Sequence, residues 1–415
     1  MRIKISLIIK WIIGITMISA LSLFKPLGAL FPVFYFDYAV RWGIVVLAAA
    51  TMIFLIYAKK VYNNYLLFIV SFIIFLVVTR LCIDLVSGRN VYKELNANAT
   101  YFFVLLAFPV YYLLQSRTVS LDRMIDTAVF LTILSYLLRI FISVYYAVFE
   151  ERIFMPISLE SAPEDWFRNG VLRINPPCFS IVIIPFCMYR FYTVKKTGKK
   201  LFFVITMFLA VFYSACIHCS RAALIFQVCE IIFLVFIKEK DSLKQIGIYL
   251  ISGTAIYFLL KKDIISKIIF MFSRSNEEYW FSNSSRFMTY PYYLKMFLDN
   301  FWIGKGFLLG EELHFAFDNI TGALSDVGIL RSLVQLGCGM LVFYVSFLVR
   351  SFCTGMKLYK NGNETMRILI WGISLSFLLT WINVDCFFAV YVFSVPFCLA
   401  IIEHARDVST ESRRR

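Results

Sequence analysis

Apolar residues in this chain fall neither on alternate positions, as on a half-buried strand, nor at three-and-four spacing, as on a helix with one wet face. They fill long runs separated by short polar stretches. A helix that crosses a bilayer needs about 20 largely apolar residues, because each residue adds only about 1.5 Å of rise. At that grain the runs predict about twelve spans. They lie near 7–24, 38–58, 64–86, 99–115, 124–149, 176–193, 200–219, 222–238, 245–262, 328–349, 368–384 and 386–402. The expected fold class is therefore all-α, a polytopic integral membrane protein formed as a single membrane domain over 1–415. The tightest junction falls at Asn383–Asp385, and merging the pair there leaves an even count.

Sidedness follows from the basic residues, which concentrate in cytoplasmic connections. With the N-terminus cytoplasmic, one side receives Arg2 and Lys4, Lys59 and Lys60, Arg117 and Arg123, then Lys195, Lys196, Lys199 and Lys200. It also receives Lys238, Lys240 and Lys244, then Lys357, Lys360, Arg367 and Arg413–Arg415. Both termini are expected in the cytoplasm. The first run is expected to stay as a span, since no small-residue cleavage site follows it and another span comes soon after.

Composition sharpens this picture. The 415 residues are 60% hydrophobic and 16% charged, with 44 Phe and 24 Tyr; the mean hydropathy is +0.77. Such a chain is neither disordered nor collagen-like. The formal charge of +15 would point to nucleic acid in a soluble protein, but here the surplus sits between apolar runs, and no nucleic-acid partner is expected. The ten cysteines lie mostly inside the predicted helices. Cys216 and Cys219 flank His218 but lack the second ligand pair of a zinc site, so no metal is expected.

The chemistry is expected in two long outer connections, a smaller one at 150–175 and a larger one at 261–327. Loops of that length are usually functional. The larger carries Arg274, Arg286, Tyr290, His314 and Asp326 among several acids and aromatic rings. Rings that stack on pyranose faces and charges that bond hydroxyls suit a sugar; a loop resting on lipid headgroups also gathers Trp and Tyr. Charges within spans are a second pointer. Arg80 and Asp84, four apart, are expected to pair, and Arg139 with Glu230 is a candidate buried pair. Arg221 follows His218 and Ser220 at an outer helix junction, with Arg173 at the same level. A guanidinium there can hold a phosphate through two parallel N–H bonds. The segment Gly304-Lys305-Gly306 lacks the Ser/Thr of a P-loop, no paired acid motif marks an outer segment, and no Ser-His-Asp arrangement is evident.

Four short elements then resemble one family. Ser220-Arg221-Ala222-Ala223-Leu224 resembles the Ser-Arg-Gly/Ala element of bacterial O-antigen polymerases (Wzy type) and O-antigen ligases. Ser285-Arg286, followed by Tyr290, Phe297 and Trp302-Ile303-Gly304-Lys305-Gly306-Phe307, resembles their stretch of an arginine, an aromatic and Gly-x-Gly. Ser325-Asp326-Val327-Gly328-Ile329-Leu330, with Leu333 and Gly337, resembles the polymerase element leading into the next helix, and Arg173-Ile174-Asn175-Pro176 is similar to the arginine before the sixth span. The elements run from about 170 to 340; elsewhere only the hydropathy profile matches.

The resemblance implies a membrane glycosyltransferase of the bacterial inner membrane, with its active site facing the periplasm. Its donor would be an undecaprenyl-pyrophosphate-linked oligosaccharide, used without metal or other cofactor. It implies as partners that lipid-linked glycan, the bilayer and a chain-length-regulating membrane protein. Arg221 and Arg286 inherit a pyrophosphate-binding, catalytic role, and Arg173 a binding role. Arg274, Tyr290 and Arg331 join the substrate-binding candidates. Asp326 or His314 is the candidate general base; where ligases follow the histidine with Asn or a similar residue, this chain has Phe315. The polymerase reading leads. The alternatives are a ligase acting on lipid A-core and a flippase or transporter of the lipid-linked unit, although no internal repeat of the transporter kind is evident.

Overall fold

The computed structural model describes residues 5–20, 37–149, 167–168, 171–238, 277–317, 320–387 and 391–414. The predicted ninth span, 245–262, Arg274 and most of the 150–175 connection lie outside them.

The apolar runs form helices because only a helix satisfies its own backbone groups where water is excluded. They are α1 (Ile5–Ala20), α2 (Asp37–Tyr57), α3 (Asn64–Val86), α4 (Val91–Ala97), α5 (Ala107–Gln115) and α6 (Leu121–Phe149). After them come α7 (Ile183–Thr193), α8 (Thr197–Phe212) and α9 (Arg221–Lys238). The chain continues through α10 (Glu277–Asp299), α11 (Leu330–Leu336), α12 (Gly339–Lys360), α13 (Glu364–Asn383) and α14 (Ser394–Arg414). Asn63, Asn90 and Asn363 cap the starts of α3, α4 and α13 by accepting backbone N–H bonds through their side chains. Two small antiparallel hairpins complete the described chain. In the first, β1 (Phe167–Arg168) pairs with β2 (Val171–Leu172), Phe167 opposite Leu172. In the second, β3 (His314–Phe317) pairs with β4 (Ile320–Ala323), His314 opposite Ala323.

The protein is all-α, and five helices among the described residues are long and apolar enough to cross a membrane. They are Asn64–Val86, Leu121–Phe149, Thr197–Ile217, Gly339–Lys360 and Glu364–Asn383. Large apolar side chains cover their outward faces: Phe75 is 64% exposed and Phe208 74%. Water would penalise that surface, whereas lipid tails would not.

Several boundaries differ from the periodicity. The predicted span 328–349 is broken at Gly337, whose positive φ of 77° ends α11 before α12 begins two residues later. The polar connection expected at 350–367 shrinks to the turn between Lys360 and Glu364, because α12 continues through it. The expected tight junction at Asn383–Asp385 is instead a longer link, since α14 starts only at Ser394 and runs to Arg414. Asp385, within that link, is fully buried. Residues 99–106 and 178–181 of predicted spans are 3-10 turns, and a π turn, Tyr213–Ile217, ends α8. The 277–299 part of the large connection is a continuous helix carrying Pro291.

Several cross-helix polar contacts gather at two ends. At one, Arg80 donates Nη1 to the Gly304 carbonyl at 3.0 Å, Arg89 approaches Glu312 at 3.7 Å, and Tyr290 donates to the Ile382 carbonyl. At the other, Arg190 joins Asp122 and Asp126, Lys238 meets Glu364 at 3.1 Å, and Arg350 grips the Glu403 carboxylate with two bonds of 2.6 Å. The expected Arg80–Asp84 pair forms, with Asp84 fully buried. Arg139 and Glu230 take separate partners: Arg139 donates Nε to the Asn175 carbonyl at 3.0 Å, and Glu230 accepts from the Ser376 hydroxyl.

Candidate functional site

Arg221 is the first residue of α9 and is half-buried. The π turn before it carries the backbone around in a tight corner: His218 N donates to the Tyr213 carbonyl at 2.8 Å and Ser220 N to the Ser214 carbonyl at 3.0 Å. Such turns interrupt a helix at positions often used for function. Arg173, from the segment leading out of β2, reaches this corner and donates Nε to the His218 carbonyl at 3.0 Å. The strand exit is itself fixed. Tyr213 points its hydroxyl at the carbonyls of Ile174 (3.0 Å) and Asn175 (3.3 Å), and Arg139 donates to Asn175 as well. Two arginine segments singled out from sequence thus meet through one backbone contact.

Below this corner lies a cavity of about 70 Å³, bounded by the 176–181 segment, the π turn and corner at 214–220, α9 and α13. Its walls come from two facing stripes. On α9, Ala223, Gln227 and Glu230 sit at i, i+4 and i+7; on α13, Ser376, Thr380 and Asn383 repeat that spacing. Residues so spaced share a helix face. The cavity runs from Ser220 and His218 at the corner to Glu230 and Ser376. With a helical rise of about 1.5 Å per residue, Glu230 lies roughly 13 Å along α9 from Arg221. Gln227 and Glu230 are 8% and 3% exposed. Sequence reading gave neither a role in this site, although the double stripe is visible in the sequence once α9 and α13 are known to pack together.

The C-terminal end of α13 joins this cavity to a second group of candidates. Tyr290 of α10 bonds the Ile382 carbonyl, and Ile329 N, just before α11, donates to the Trp381 carbonyl at 3.0 Å. Arg331 on α11 is half-buried and lies within electrostatic reach of Asp385. Asp385 is fully buried and accepts at 3.0 Å from both the Tyr344 hydroxyl and the Phe387 backbone N–H. Burial pushes its carboxyl above the usual range, while the Arg331 charge pulls it back. The sequence marked Asp385 only as a helix boundary.

His314 begins β3 and is exposed; Asp326 is exposed at the end of a 3-10 turn, accepting from Ser325 at 3.3 Å. Neither bonds to the Arg173–Arg221 corner. Arg286 falls on α10 one helical turn before Tyr290. The Gly304-Lys305-Gly306 segment is a strut: Lys305 N donates to the Val334 carbonyl at 2.7 Å, and the Arg80 guanidinium covers Gly306. Beside it Glu94 is 2% exposed, its carboxyl pushed up to about 7 by burial first and by the neighbouring Asp84 second. Among the described residues no group of three or more His, Cys, Asp or Glu side chains could hold a metal ion. No protein-family profile matches the chain, and no curated protein matches it.

Proposed function

We propose that the protein is a glycan polymerase of the bacterial inner membrane, transferring a growing saccharide from an undecaprenyl-pyrophosphate donor to a new lipid-linked repeat unit. The observation that carries this reading is the contact of Arg173 with the His218 carbonyl beside Arg221. It brings two half-buried guanidinium-bearing segments to one corner at the end of apolar helices. A pyrophosphate leaving group needs fixed positive charge placed where its own charge develops, and preorganised guanidinium groups supply that electrostatic stabilisation. In this reading the chain makes about twelve spans of about 20 residues, with both termini cytoplasmic and the Arg221 corner periplasmic. The gathering of several cross-helix contacts at two ends supports it, since the end holding Lys238 and Arg350 is the one the basic connections assign to the cytoplasm.

The acceptor hydroxyl must lose its proton as the new bond to the donor's anomeric carbon forms and the pyrophosphate departs. Asp326 and His314, both exposed, remain the groups proposed for that transfer. Arg286 is proposed to act with Arg221 on the pyrophosphate, and Tyr290, Arg331 and Arg274 to hold the substrate. A second reading, a flippase for the lipid-linked unit, draws support from one observation: Glu230 faces a polar cavity well inside an apolar helix, as groups on transport pathways do.

Gene deletion followed by electrophoresis of the surface glycan separates the readings. Core capped with a single repeat is expected for the polymerase. Uncapped core with lipid-linked polymer accumulating would identify a ligase, and loss of repeat units from the periplasmic side would identify the flippase.

A further inference from the structure

The cavity beneath the Arg221 corner has a chemical bias that glycan transfer does not explain. Its inner half is built from oxygen-bearing side chains: Gln227 and Glu230 on one helix, Ser376 and Thr380 on the other. No lysine or arginine lines it. Glu230 is 3% exposed, accepts a hydrogen bond from the Ser376 hydroxyl, and forms no ion pair among the described residues. Gln227, 8% exposed on the same wall, has a buried side-chain oxygen with no hydrogen-bond donor among them. A carboxyl and an orphaned amide oxygen side by side in an apolar layer are each expensive to bury. Both deficits have the same sign, an excess of acceptors.

We propose that this cavity is a binding site for a monovalent alkali cation. Hard cations take carboxylate, carbonyl and hydroxyl oxygens, which is the donor set here. Glu230 supplies the charge, Gln227 its amide oxygen, and Ser376 and Thr380, one turn apart, complete the shell from the facing helix. Ser376 can donate to Glu230 and still offer a lone pair to the ion. One carboxylate matches one positive charge, so the occupied site is neutral; a divalent ion would leave a net charge in the apolar layer. The ion reaches the site past Ser220 and His218, which line the same cavity at the corner. The site does not depend on the glycan-transfer reading, and its test is independent of any activity.

The full-length protein, purified in detergent, is unfolded thermally in sodium, potassium or N-methyl-D-glucamine chloride at matched ionic strength. A saturable rise in Tm with sodium or potassium over the organic cation is expected, because a ligand of the folded state stabilises it by mass action. The arm with the lower half-saturating concentration identifies the ion. Glu230→Gln should abolish the specific response, and Gln227→Leu and Thr380→Ala should raise the half-saturating concentration about tenfold, the loss of about 1.4 kcal/mol of binding. Should Glu230→Gln fail to accumulate, the other two variants carry the same test. Equal Tm in all three salts overturns the proposal, as does a response left intact in the variants. A response to pH in place of the alkali ions assigns the site to a proton and also overturns it.

Discussion

Arg80 donates Nη1 to the carbonyl of Gly304 at 3.0 Å, 224 residues away in the chain, while its Nε is shared at 3.1 Å with Asp84. This single guanidinium ties the end of α3 to the glycine-flanked strut that carries α10 into the second hairpin. Gly306 has a φ of 110°, and a Cβ there would lie 2.6 Å from Arg80 Nη2. Gly306→Ala is therefore expected to destabilise the protein by about 1–3 kcal/mol through backbone strain alone. Arg80→Ala leaves a buried carboxylate without its partner and should remove about 3–5 kcal/mol. Because the two changes share one contact, the double variant should lose less than the sum, and thermal unfolding of all four proteins reads that coupling.

Glu94 makes the same region sensitive to pH. Its carboxyl rises from the usual 4.5 to about 7, so the folded state binds the proton more tightly than the unfolded one. Stability from this group is full below 4.5 and declines as pH climbs towards and through about 7. Glu94→Gln should flatten that decline and raise Tm at pH values above the interval. Comparing Tm of the two proteins across the interval checks it, and parallel pH profiles would remove Glu94 from the account.

Arg221→Ala and Arg286→Ala are expected to abolish chain elongation while the protein still accumulates in the membrane. Removing a single preorganised donor to a developing charge costs about 10²–10³ in rate, which in cells reads as loss of long polymer. Glycan electrophoresis beside an immunoblot of membranes measures both. Normal polymer length in both variants would sink the assignment of these arginines.

Asp385 supports the α11 end of the site by holding the Tyr344 hydroxyl and the Phe387 N–H. Asp385→Ala leaves the Phe387 N–H buried without its acceptor and the Tyr344 hydroxyl only its Ser332 contact, and should cost about 1–3 kcal/mol. Asp385→Asn keeps an acceptor oxygen and should retain most of the stability. It alters the charge facing Arg331, so its effect should appear in polymer length more than in Tm. Equal loss of stability in the two variants would argue against this division of roles.

The elements most visible in the sequence were those whose signal is local. The runs that became α3, α6 and α13 lie within a few residues of their predicted limits, because a span of apolar residues long enough to cross lipid has one stable backbone solution. The Arg80–Asp84 pair was legible because four-residue spacing on a helix is itself a contact. Hydropathy failed where burial inside the protein replaced burial in lipid. Leu330–Leu336 is as apolar as a span start, yet it is a short helix closed at Gly337, packed between α3 and α10.

The sequence by itself thus determined the helical class, the long apolar elements, the local ion pair and the arginines worth watching, since each depends on residues close together in the chain. Tertiary structure alone decided which of those residues meet. Arg173 reaches the corner before Arg221 only because Tyr213 and Arg139 hold the strand exit. Glu230 faces Ser376 rather than Arg139 only because α9 packs on α13. A polar stripe on one helix has no meaning until a second helix covers it, and that pairing is set by the shapes of whole faces rather than by any local spacing.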